Sequence, residues 1–182
     1  LGGVVNVIGN DENEAHEGFR GSVTGLAGTA DRQAGFAAGL EYGHKKLMLR
    51  GNLSGQRAGD YDTPLGRVPN SASRSNSGSF GAGYYGDKFY VNGTFYSDIR
   101  RYGIPFAALF EGGGETERAA GVLPEVDEDI DIRLRSYKFR LNGGLRELAS
   151  PFLSGLQYNF DYSDYRHKEI ETVDGIDQVG TI

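Results

Sequence analysis

The chain has 182 residues, a formal net charge of -6, 29 Gly, 11 Tyr and 10 Phe, and neither Cys nor Trp. The acid excess argues against nucleic acid as a partner, and the lack of cysteine removes both a disulfide framework and a thiolate metal site. No apolar run reaches the roughly 18 residues that a transmembrane helix needs. A membrane β-strand escapes that test, because it shows only every second residue to lipid.

So many glycines would weaken helices, whereas the aromatic and β-branched residues between them favour strands. Residues 1–8, LGGVVNVI, read as a short apolar strand, and the acidic run 9–17 as a linker leaving it. From Phe19 to about residue 29 an alternation begins, with Phe19, Val23 and Ala27 opposite Arg20, Ser22 and Thr24, and Leu26 on the polar side. A turn at 30–32 leads to a second strand, 33–42, with Ala34, Phe36, Ala38, Leu40 and Tyr42 on one face. The third, 46–56, sets Leu47, Leu49 and Leu53 against Lys46, Met48, Arg50, Asn52, Ser54 and Gln56. A long connection, 59–76, precedes a fourth strand at 77–86, in which Phe80, Ala82 and Tyr84 oppose Ser79, Gly81, Gly83 and Tyr85.

The fifth strand, 88–98, alternates without a fault: Phe89, Val91 and Phe95 face one way, and Tyr90, Asn92, Thr94, Tyr96 and Asp98 the other. Its length suits a tilted strand crossing a bilayer, which takes about 9 to 11 residues. Arg100, Arg101 and a turn at 102–105 are expected to end it, before a long connection over 102–130. The sixth strand, 131–144, changes phase between Leu134 and Tyr137. A bulge near Ser136 would account for this; so would Arg133 and Arg135 pointing outward above the hydrocarbon layer, beside lipid phosphates. A seventh strand carries Phe152, Leu156, Tyr158, Phe160 and Tyr162 against Gln157, Asn159 and Asp161, and an acidic loop at 168–177 leads to an eighth.

Short connections at 43–45, 86–88 and 146–151 alternate with long ones at 59–76, 102–130 and 168–177, an asymmetry typical of outer-membrane barrels; the short turn at 30–32 breaks it. Aromatic residues at strand ends, Phe19, Tyr42, Phe89, Phe152 and Tyr162, suit interfacial girdles. The fold expected is therefore all-β, an antiparallel transmembrane β-barrel segment of about eight strands. A complete small barrel with a structural or adhesion role and a soluble β-sandwich binding module are the alternatives.

At this point the residues resemble the TonB-dependent outer-membrane receptors. Residues 1–8 look like the closing strand of that family's plug. Pro69-Asn70-Ser71, Arg101-Tyr102-Gly103-Ile104-Pro105, and the run Asp164 to Glu171 followed by Gly180-Thr181 look like passages of its barrel. The resemblance implies a barrel of about 22 strands filled by a plug. It would take up a scarce chelate, ferric siderophore, haem, cobalamin or zinc, driven by the inner-membrane TonB complex. Residues 1–8 would then end the plug, 9–17 form a linker, and 18–182 the N-terminal part of the barrel. The motif that contacts TonB is absent from this stretch, and both ends are those expected of a segment of a longer protein. The partners implied are outer-membrane lipid, the metal chelate and, in the longer protein, TonB.

Several residues are candidates for contact with that cargo. His167, Glu169 and Glu171 share one face of an extended strand, where imidazole and carboxylates can ligate zinc; the alternative is a solvated, locally paired strand end. Tyr102, Phe106 and Phe110 offer aromatic contact to a flat chelate or pin the third outer loop against the rim. That loop is dense in acids from Glu111 to Asp131, a field that either gathers cations or is simply solvated. Arg50, Asn52, Asn92, Tyr96, Gln157, Asn159 and Asp161 are expected to face the plug or lumen. His16 and His44 read as isolated linker and turn residues. No nucleophile–base spacing nominates an enzyme, and no cofactor is expected.

Overall fold

A computed structural model describes residues 15–64, 66–105, 128–148, 152–173 and 176–181. The expected strand at 1–8, most of the linker, Phe106, Phe110 and the acidic stretch from Glu111 to Asp127 lie outside the described residues. Within them there is no helix. The strands are β1 (Gly18–Ala27), β2 (Ala34–His44), β3 (Leu47–Ala58), β4 (Asp62–Thr63), β5 (Gly66–Arg67), β6 (Ser73–Tyr85), β7 (Phe89–Ile104), β8 (Glu128–Arg146), β9 (Gly155–Val173) and β10 (Ile176–Thr181).

β4 and β5 pair as a small hairpin inside the connection that sequence patterning left irregular. The other strands form one antiparallel eight-stranded sheet in the order β1-β2-β3-β6-β7-β8-β9-β10. Chain order and spatial order coincide, each strand of the sheet pairing with the next one along the chain. β1 and β10 lie at opposite edges of the described sheet.

Every ladder runs without a slip, so parity alone assigns each side chain to a face. Phe19 opposite Tyr42, Tyr42 opposite Leu49, Leu49 opposite Ala82, Phe80 opposite Phe95, Phe95 opposite Phe139 and Phe139 opposite Tyr162 carry one apolar face across the sheet. No second layer of described residues covers it: Val23 is 84% exposed, Phe80 62% and Phe160 56%. The opposite face carries Arg50, Asn52, Ser79, Asn92, Asn142 and Asn159.

Four expectations are corrected. β7 does not stop at Arg100; it pairs with β8 as far as Ile104 opposite Ile130. β8 has no bulge at Ser136, which stands opposite Asp98 on one side and Tyr165 on the other within unbroken ladders. Its change of phase is a change of surroundings: Ile130 and Ile132 lie on the polar face, where they are buried and cluster with Ile104. The acidic loop at 168–177 is mostly strand, since β9 reaches Val173 and pairs across residues 174–175 with Ile176. The connection expected to be long there is therefore a tight hairpin. Finally, β6 begins at Ser73 rather than at residue 77. In β7, β8 and β9 the ladder outlasts the apolar pattern, and polar residues on both faces had made its extension look like loop.

Candidate functional site

The polar face is most structured at the end of the sheet that carries the short turns. Met48 is 1% exposed, and the Tyr85 and Tyr90 rings lie parallel with centroids 6.3 Å apart. Arg50 lies over Tyr85 at 5.6 Å and also donates from Nη1 to its hydroxyl at 2.9 Å, while Arg146 lies over Tyr90 at 5.0 Å. Each cation thus sits against the electron-rich face of a tyrosine that burial keeps in place. Parity had put Arg50, Tyr85 and Tyr90 on this face; their association required the register across β3, β6 and β7.

The segment before β1 is pinned to this array. His16 Nε2 is 3.1 Å from Glu41 Oε2, and Glu41 Oε1 is 3.8 Å from Arg50 Nε. The His16 backbone N–H donates to Met48 Sδ at 3.4 Å, and the Lys45 N–H donates to Glu17 Oε1 at 2.6 Å. His16 and His44 are therefore not isolated, as the sequence had suggested; His44 Nδ1 is itself 3.8 Å from Glu17. Gly43 permits the crossing, because a Cβ there would run into the His16 carbonyl and lie 2.7 Å from Met48 Sδ. At the neighbouring turn Lys46 Nζ donates to Asp87 Oδ2 at 2.6 Å, and this hydrogen bond holds the Asp87 carboxyl below the usual carboxylate range.

Farther along the sheet the residues predicted to face the lumen all fall on the polar face. Asn92, 2% exposed, donates from Nδ2 to Asn142 Oδ1 at 3.1 Å and to Thr94 Oγ1 at 3.5 Å. Asn52 donates to Ser79 Oγ at 3.3 Å, and Arg140 Nε to Asp161 Oδ1 at 2.8 Å. Tyr96 is half-buried between Ser79 and Lys138, while Gln157 and Asn159 are exposed on β9. Together they form a hydrogen-bonded wall along the polar face.

At the end of the sheet with the long connections, His167, Glu169 and Glu171 lie on that same face, opposite Leu134, Ile132 and Ile130. Ile132 is in turn opposite Tyr102, so Tyr102 and Glu169 share one row, two strand spacings or about 10 Å apart. His167 Nε2 is buried without a hydrogen-bond partner among the described residues. Among those residues no three His, Asp or Glu side chains are placed to hold a metal ion; extended geometry spreads the i, i+2 and i+4 positions along the strand instead of closing them round one ion.

The apolar face ends in aromatic rings at the short-turn end. Phe19 and Tyr42 have centroids 4.4 Å apart, and Tyr84 and Phe89 5.1 Å apart. No family model matches the chain, and no curated protein matches it.

Proposed function

We propose that the chain is part of the transmembrane barrel of an outer-membrane receptor of the TonB-dependent kind, beginning just after its plug, which captures a scarce metal chelate. The observation that carries this reading is the uncovered apolar face, continuous across the sheet and backed by a polar, hydrogen-bonded face. In water such a face would be a severe liability; against hydrocarbon it is the required one. A soluble sandwich needs a second sheet over Leu49, Phe80 and Phe95, and a complete eight-stranded barrel needs β1 paired with β10. The described residues contain neither. The docking of His16 and Glu17 on the polar side of the first turn fits a linker that enters the barrel from a plug within it.

On this reading Arg50, Asn52, Asn92, Tyr96, Gln157, Asn159 and Asp161 meet the plug or the solvated lumen, and Tyr102 and His167 stand near the outer mouth. The work is ligand capture followed by plug movement, with no covalent chemistry. The test is binding of radiolabelled ferric siderophore and of zinc, separately, to the intact protein in outer membranes, with and without His167→Ala combined with Glu169→Ala. Zinc binding lost in the double variant makes that cluster a metal site. Siderophore binding unaffected by it keeps the receptor assignment and leaves the cluster structural. Binding of neither moves the assay to haem and cobalamin, and failure of those as well would defeat the receptor reading.

A further inference from the structure

Directly beyond the apolar residues, on the same face, register brings basic side chains into one transverse row. Arg57 stands opposite Arg74, Arg74 opposite Arg101, Arg101 opposite Arg133 and Arg133 opposite Lys168. Arg135 opposite Arg166 adds a second pair on the side nearer the apolar band. The row crosses β3, β6, β7, β8 and β9, a width of about 19 Å at the usual strand spacing. Like charges directly opposite one another destabilise a sheet, yet here such pairs follow in succession.

The acids on this face do not balance them. Arg101 is held by Asp131, with its Nε 3.1 Å from Oδ2, and Arg166 lies 3.7 Å from Asp164. Asp129 and Asp177, both opposite Thr172, lie farther toward the strand ends. Arg57, Arg74, Arg133 and Lys168 are exposed and make no ion pair with another described residue. Arg57, Arg74 and Arg101 also line an open concavity of about 610 Å³, together with Asn70 and the carboxylates of Asp60, Asp129 and Asp131. Asn70 stands over this face of the sheet, because a Cβ on Gly103 would strike it.

We propose that this row binds the headgroup of a lipid carrying two or more phosphates, in the leaflet at the long-connection end of the sheet. The proposal rests on the bilayer reading above, which puts the row at headgroup depth. A single phosphodiester meets one or two guanidinium groups, whereas a row about 19 Å wide is filled by several phosphates on one anchor. Guanidinium suits that task, since its planar fork pairs phosphate oxygens bidentately.

The test uses the intact protein in phospholipid nanodiscs containing bis-phosphorylated lipid A, phosphatidylglycerol or neither, with inorganic pyrophosphate as the free-anion arm. Native mass spectrometry reads the lipid retained. Arg74→Gln combined with Arg133→Gln is expected to reduce retention of bis-phosphorylated lipid A by roughly 30-fold, with a steep loss in added salt. Arg20→Gln, on the polar face of β1, leaves it unchanged. Retention that ignores the Arg74 and Arg133 changes, or phosphatidylglycerol or pyrophosphate binding as tightly as lipid A, overturns the proposal. Flotation of the protein with phospholipid vesicles of the same compositions separates the two claims: a protein that floats but does not prefer lipid A refutes this inference alone, and one that fails to float refutes the bilayer reading beneath it.

Discussion

Replacing Phe80 by arginine tests the apolar face where it matters most. On β6 the side chains of this face run from Tyr84 through Phe80 to Arg74. Ten residues at about 3.4 Å each, tilted by about 40°, give a height of about 26 Å, against an apolar band of about 25 Å in membrane barrels. Phe80 lies four residues from Tyr84 and six from Arg74, close to the middle. Arginine there should cost about 2–4 kcal/mol. Leu47→Arg, level with Tyr84, should cost only about 0–1 kcal/mol, as interfacial positions do. Ser79→Arg, one residue away on the polar face, gives up the hydrogen bond from Asn52 and should cost about 0.5–1.5 kcal/mol, less than Phe80→Arg. The assay is guanidinium unfolding of the intact protein in lipid vesicles, followed by far-ultraviolet circular dichroism. A soluble core would penalise Phe80 and Leu47 alike, so equal losses at these two positions, or an equal loss at Ser79, would refute the reasoning.

Other expectations follow from the polar face and the turns. Gly43→Ala should displace residues 15–17 from the sheet, because the new methyl meets the His16 carbonyl; limited proteolysis should then cut before β1 at least several-fold faster, with the sheet itself intact. Asn92→Leu should destabilise by about 1–3 kcal/mol, the range for a buried polar partner left unpaired, with the unfolding midpoint as its measure. Asp87, its carboxyl held down by the Lys46 hydrogen bond, should titrate below an ordinary aspartate by carbon-detected NMR. The stability it contributes is present above the ordinary aspartate value and is lost as pH falls through the depressed one; Lys46→Met should return the titration to normal.

The alternation of single residues was enough to assign the faces of β1 to β3, β6 and most of β7, because each strand there has one apolar side. It also put Arg50, Asn52, Asn92 and Asn159 on the polar side before any register was known. Strand ends were harder. From Arg100 to Ile104 and from Lys168 to Val173 charge occupies both faces, so the pattern that signals a strand vanishes although the backbone ladder continues. The Arg50, Tyr85, Tyr90 and Arg146 array was invisible for another reason, and of the basic row only Arg133 and its neighbour Arg135 were legible as outward-facing: the other members are scattered in the sequence and meet only through pairing between strands. His16 was misjudged for the same reason, since its partner Glu41 lies across the first hairpin. The strands missed at β4 and β5 are two residues each, too short for any period to register.

The central claim is that one face of the sheet meets lipid and the other does not. The chain contains no cysteine, so single nitroxide labels can be introduced along β6, at Ser77→Cys, Gly78→Cys, Ser79→Cys, Phe80→Cys, Gly81→Cys and Ala82→Cys, in the intact protein in lipid vesicles, with any cysteine outside these 182 residues replaced by serine. Accessibility to oxygen, which concentrates in hydrocarbon, should peak at positions 78, 80 and 82. Accessibility to a water-soluble nickel chelate should stay low at those three positions. Nickel access as high at 80 as in free solution, or oxygen access without a period of two, would contradict the account.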